Sequence, residues 1–301
     1  MKNYNTLKTQ IYYQLKRQFK IKLGESFNLV VSFVVAPLLA WLTALIFRSD
    51  TDLVANDSYP TFLFFMLISG VFFGLLSSVF EIIKDKAMIQ RESLGGVSGV
   101  GYYLSKYLVL AFFGLIQTIL FNVVAMQLLN LTFGLMFFNS IIMYLLVLIS
   151  ISLGLFVSSI VRSTLVASNL IPIFIIPQIL LGGLIPYNQM DKSIFMWEED
   201  IEAVPPMAKV IPVKYAYESV VMGNIAFIDE QEGEINNQIS QMVNHLEYNQ
   251  FMSIEQEAMS VCFGLEVCEK TWFFNILIML FYDALMLLLG YFTFKRRIYN
   301  G

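Results

Sequence analysis

The stretch PTFLFFMLISGVFFGLLSSVFEIIKDKAMIQRESLGG, Pro60 to Gly96, passes from an apolar run directly into a cluster of charge. Residues 60–82 are long and apolar enough to cross a bilayer core, which takes about 20 residues as a helix. The charge begins where that run ends, with Glu81, Lys84, Asp85, Lys86, Arg91 and Glu92. Wound as a helix, 81–94 places Ile82, Ile83, Ala87, Ile89 and Leu94 on one side and Glu81, Lys84, Asp85, Arg91 and Glu92 on the other. Met88 lies within the charged side, where a flexible thioether suits a groove in a second protein. The same layout also fits a helix that merely rests at the membrane surface.

Working outward, five further runs have the length and composition of spanning helices: 26–47, 104–129, 135–161, 164–183 and 271–294. Hydrocarbon leaves no partner for open backbone, so each reads as a helix, and the fold class is an all-α integral membrane protein of six spans. The 301 residues are 57% hydrophobic and 14% charged, in keeping with that class. One His and two Cys exclude zinc hydrolysis and cysteine-rich metal sites, which need three or four converging ligands. The first 25 residues are polar and basic, so no cleaved leader is expected.

Lys and Arg are distributed unequally. Fourteen lie in the N-terminal segment, the loop after 82, Arg162 and the C-terminal tail, against five on the other side, which places both termini in the cytoplasm. Residues 1–25 form an expected interfacial helix, with Leu7, Ile11, Leu15, Phe19 and Leu23 at intervals of four. A soluble helix would show the same spacing. Residues 26–301 form the membrane domain, with a long external loop at about 184–270. That loop carries a net charge of −11, leaving the remainder at +7, and reads as a solvated outer subdomain rather than a cation site. Cys262 and Cys268 both fall in it. A C-x5-C disulfide, two free thiols and an interchain bond all remain open. Asn56-Asp57-Ser58 and Asn130-Leu131-Thr132 are sequons on the same side.

The glycines of LGGVSGVGYYLSK, Leu94 to Lys106, lack the spacing of a phosphate loop, and the chain contains no Walker A motif. ATP hydrolysis by that route is excluded for this polypeptide. In the fifth span, Pro172 and Pro177 each remove a backbone bond and Gly182-Gly183 ends the run, so a broken helix is expected. Gly70 and Gly74 form a small-x-x-x-small face on the second span. Asp283 stands near the middle of the sixth span. About thirteen Leu, Ile, Phe and Val there outweigh its roughly +3 kcal/mol insertion cost. A hydrogen bond to Gln117, Asn122 or Asn169 is the expected accommodation, in preference to proton coupling.

Three segments resemble the membrane domain of ABC type-2 exporters, the ABCG or White subgroup in particular. IQRESLGGVSGVGYYLSK is similar to that family's R-E-x-x-S-G segment followed by an aromatic and a small-residue-Lys pair, with Arg91, Glu92, Gly96, Tyr103 and Lys106 in place. ILLGGLIP resembles the segment ending the fifth span. IPVKYAYESVVMGN resembles S-P-x-[RK]-Y-x-x-E-A-x-x-x-N-E through Pro212, Lys214, Tyr215, Glu218 and Asn224, with Ile211 and Ile225 departing from it.

The resemblance implies a coupling helix that meets an ABC ATPase through Glu81, Lys84, Asp85, Met88, Arg91 and Glu92. It also implies a dimer of six-span halves, homo- or heterodimeric, whose axial substrate cavity is lined by Ser69, Phe72, Ile176 and Ile179. Leu184 and Ile185 would close that cavity on the outer side. ATP and Mg would sit on the partner ATPase, with no cofactor on this chain. The expected function is export of a hydrophobic or amphipathic substrate. Export of a lipid-linked saccharide or polymer, an ion-coupled secondary carrier and a non-transporting membrane scaffold are the rivals. A carrier calls for paired intramembrane acids, and Asp283 is a single one.

Overall fold

A computed structural model describes residues 7–48, 58–184, 207–231 and 266–298 of the chain. Regular structure among these residues is helical throughout: α1 Leu7–Gly24, α2 Ser26–Phe47, α3 Tyr59–Ser78, α4 Glu81–Leu94, α5 Gly99–Leu129, α6 Phe133–Ile160, α7 Thr164–Leu181, a 3-10 turn at Ala208–Val210, α8 Pro212–Gln231 and α9 Glu266–Ile298. Six helices are long and apolar enough to cross a membrane, in α2, α3 with its continuation, α5, α6, α7 and α9. The protein is a multi-pass, all-α membrane protein.

α6 lies at the centre, against α3, α5, α8 and α9. Its approach to α3 depends on small residues. A Cβ built on Gly74 would lie 2.5 Å from Ser150 Cβ and 2.7 Å from the Val147 carbonyl oxygen, and one on Gly70 would lie 3.1 Å from Met143 Cγ. The small face of the second span is therefore spent inside the chain, on dispersion contacts that lipid cannot replace.

Two polar caps join the ends of elements. Ser158 of α6 accepts from the Ile82 and Ile83 amides at 3.0 and 3.3 Å, satisfying donors at the start of α4. Arg297 near the end of α9 donates to the Ser159 and Val161 carbonyls, both at 2.7 Å, where α6 ends. These contacts collect α4, the end of α6 and the C-terminal cations at one end of the bundle, here termed the basic end.

Two expectations change. α7 runs unbroken through Pro172 and Pro177, and terminates at Gly182-Gly183, where Gly183 takes φ +101°. Each proline removes one amide, but neighbouring turns maintain the helical path. The expected external loop contains α8, whose Val213, Ala216, Tyr217, Val220 and Val221 are completely buried. α8 is packed into the end of the bundle opposite the basic end, because its apolar side chains match those of α9, α6 and α3. The last helix begins at Glu266, and its membrane-spanning part, Trp272–Arg297, matches the expected span.

α8 is held by side chains as well as by burial. Asn224 accepts from Tyr59 OH at 2.8 Å and donates to Asn139 Oδ1 at 2.7 Å, tying α8 to the starts of α3 and α6. Lys214 and Glu218, one turn apart, form a buried pair at 3.6 Å. Burial pushes the Glu218 carboxyl up from its ordinary range, while Lys214 and Asn275 draw it back.

Candidate functional site at the basic end

α4 is clamped between α1 and α5 by charge. Glu81 places one carboxylate oxygen 2.7 Å from Lys22 Nζ of α1 and the other 2.7 Å from Lys106 Nζ of α5. Lys106 also lies 2.9 Å from Asp85 Oδ2, which accepts from Tyr102 OH at 2.7 Å. Two lysines therefore balance two carboxylates in a protected cluster, where each charge needs the others to offset its lost hydration. A turn further along α4, Arg17 of α1 pairs with Glu92 and donates to Met88 Sδ at 3.3 Å.

Local sequence explains this arrangement. Gly96 takes φ +81°, and the Gly95 and Val97 amides both bond the Glu92 carbonyl, so the chain reverses sharply after α4. Ser98 then caps α5 by accepting from the Gly101 amide, while its own amide donates to Gln10 Oε1 of α1 at 3.1 Å. Along α1, Leu15 and Phe19 enter a cluster with Leu29, Val109 and Phe113, and the Phe19 and Phe113 rings stack at 5.5 Å.

The expected faces of α4 need correction. Ile82 and Ile89 are buried as anticipated, but Ala87 and Leu94 are exposed, Leu94 at 90%. Glu81 is buried, because its charge is matched inside the chain. Met88 is occupied by Arg17 and packs with the cluster containing Ile82, Ile89 and Phe294. The side chains of the proposed coupling set that remain exposed are Lys84 and Arg91. Lys22, Tyr102 and Arg17 were not singled out from sequence as clamp residues. What marks them is a balance of charge in space, and linear spacing does not reveal a pairing such as Arg17 with Glu92, 75 positions apart.

The remaining candidates are dispersed. Ser69 is buried and donates to the Phe65 carbonyl, whereas Phe72 and Ile176 are exposed and Ile179 packs partly against the core. These residues lie on α3 and α7, which touch each other. Leu184 is partly buried, and Ile185 lies outside the described residues. Cys262 also lies outside them, while Cys268 falls within α9 in its first turn. Asp283 accepts from Tyr107 OH at 2.6 Å and Ser152 Oγ at 2.7 Å. Of the expected partners, Gln117 donates to Ser32, Asn122 donates to the Thr118 carbonyl, and Asn169 is exposed on α7.

Six spanning helices, an amphipathic helix and a short charged helix locked to one end define a polytopic helical membrane protein. The ABC-2 type transporter family matches residues 9–224, which include most of α1, the clamp and the first part of α8. The chain belongs to this family and is an ABC transporter permease. No curated protein matches it.

Proposed function

We propose that the chain is the membrane half of an ATP-driven exporter of the ABCG-like kind, moving a hydrophobic or amphipathic substrate out of the cytoplasm or the inner leaflet. The observation that carries this reading is the clamp: α4 is fixed to α1 and α5 by the Glu81–Lys22–Lys106 cluster while Lys84 and Arg91 remain exposed. A force applied to that exposed face would travel into α5 through buried charge rather than dissipate in a loose loop. The partner is an ABC ATPase, supplied as a separate subunit or as a domain joined to this one, with ATP and Mg bound there.

Both termini then lie in the cytoplasm, and a second permease half completes the pathway. Exposed Phe72 and Ile176 on α3 and α7 support such a cavity, since they leave apolar surface at the faces assigned to it. Apolar lining favours cargo held by area burial. Closure of the ATPase would push α4 and α1 together, tilt the halves, close the inner cavity and open the Leu184/Ile185 constriction.

The test is ATPase activity of the reconstituted complex across a panel of lipids and drug-like molecules. Stimulation by apolar cargo in the intact complex, lost in Arg91→Ala with assembly retained, supports the reading. Full stimulation in Arg91→Ala overturns the coupling role.

A further inference from the structure

A cavity of 310 Å³ opens between α2, α3 and α5 at the basic end, separate from the faces of α3 and α7 assigned to cargo. Its walls are apolar, formed by Leu29, Phe33, Phe73, Leu76 and Phe113. Its polar end is shared with a smaller recess under α1 that includes Gln18, Glu25 and Lys84. The volume is at the lower end of the ~300–1,000 Å³ usual for small-ligand sites.

Two polar atoms along this cavity and one in the adjoining recess have no hydrogen-bond partner. Gln18 Nε2 is a donor on a side chain 2% exposed, Glu25 Oε2 is an acceptor, and Gln117 Oε1 is an acceptor on a side chain 3% exposed. Lys84, on the same rim, is an exposed cation with no ion pair among the described residues. Lys22 and Glu81 on that rim already satisfy each other. Orphaned buried polar atoms cost about 1–3 kcal/mol each, so they point to a ligand that supplies the missing partners.

Their order along the bilayer normal is informative. Gln117 Nε2 donates to Ser32 Oγ at 2.8 Å, so its free oxygen is level with Ser32. Ser32 is seven residues beyond Glu25, the N-cap of α2, and so about 10 Å further along that helix. The free groups thus ask for an acceptor anion at Lys84, an N–H cation at Glu25 and a hydroxyl donor about 10 Å deeper than that cation, followed by an acyl chain between the aromatic walls.

We propose that this cavity binds a monoacyl ethanolamine phospholipid. The phosphate takes Lys84 at the rim, the ammonium donates to Glu25, and the free glycerol hydroxyl donates to Gln117. A choline headgroup has no N–H for Glu25, and a diacyl glycerol backbone has no O–H for Gln117. The site concerns lipid retained by the permease and holds whichever cargo the permease moves.

The test places the 301-residue chain in phosphatidylcholine nanodiscs and counts retained lipid by native mass spectrometry. Lysophosphatidylethanolamine is retained over lysophosphatidylcholine by about tenfold, as one charge-assisted hydrogen bond requires. Glu25→Gln lowers that preference, because the amide oxygen still accepts but the charge is gone, and Gln117→Leu removes the preference for monoacyl over diacyl ethanolamine lipid. A series methylated stepwise at the amine needs no variant: retention holds until the last N–H is replaced. Equal retention of the ethanolamine and choline forms, gradual loss along the methylation series, or an unchanged headgroup preference in a monodisperse Glu25→Gln protein overturns the proposal.

Discussion

Lys106 Nζ lies 2.7 Å from Glu81 Oε2, joining the third span to the helix that follows the second, with side chains only 5% and 8% exposed. This contact converts α4 from a surface loop into an extension of the bundle. Removing one member strands a protected charge, so Lys106→Met is expected to destabilise the permease by about 3–5 kcal/mol. Lys84→Met, on the exposed side of the same helix, is expected to stay within about 0.5 kcal/mol of the parent. Thermal unfolding of both variants in detergent checks the contrast, and equal midpoints would count against a buried clamp.

Met88 and Arg91 should separate stability from coupling. Met88 is partly buried, so Met88→Ala, which opens a gap beside Arg17 and Ile89, is expected to cost about 1–2 kcal/mol, below the range for fully buried large-to-small changes. Arg91 is exposed, so Arg91→Ala should leave the unfolding midpoint unchanged and lower substrate-stimulated ATPase. The measurement pairs unfolding with ATPase on the same preparations. A stability loss in Arg91→Ala would mean that its side chain is structural.

Asp283 reads as a structural acceptor, since both carboxylate oxygens already take hydroxyl donors from Tyr107 and Ser152. Tyr107→Phe and Ser152→Ala are each expected to cost about 0.6 kcal/mol, the scale of intramembrane hydrogen bonds. Asp283→Asn should retain transport, because one oxygen still accepts. Loss of transport in Asp283→Asn with assembly and ATPase intact would assign the carboxyl a proton-carrying role instead.

Gly74 tests the packing at the centre. An alanine there would place its Cβ 2.5 Å from Ser150 Cβ, so Gly74→Ala is expected to destabilise by about 1–3 kcal/mol through overpacking. A Cβ added at Gly24 would meet nothing within 4 Å, and Gly24→Ala should be neutral or slightly stabilising. Unfolding midpoints of the two variants provide the comparison.

The spans and the charged helix were legible because each depends on local composition: apolar length fixes a membrane helix, and the break from Phe80 to Glu81 marks its end. The burial of α8 was less legible. Its Lys214, Glu218 and Asn224 look solvated in a linear reading, and only Asn139, Tyr59 and Asn275, brought from distant positions, show why those groups can be buried. The inward role of Glu81 was hidden for the same reason, since its partners Lys22 and Lys106 lie on different helices. Periodicity located the apolar side of α4 at Ile82 and Ile89, but it could not anticipate that a charged residue would share that side.

The central claim is that the exposed face of α4 receives force from an ATPase. The most direct measurement is thiol cross-linking from Arg91→Cys, in a Cys262→Ser/Cys268→Ser background, within a complex purified with the ATPase and cycled through ATP binding and hydrolysis. The account predicts a cross-link to the ATPase whose yield changes with nucleotide state, and none from Lys209→Cys at the opposite end. An ATPase that copurifies but cross-links equally from both ends, or never from position 91, would contradict it.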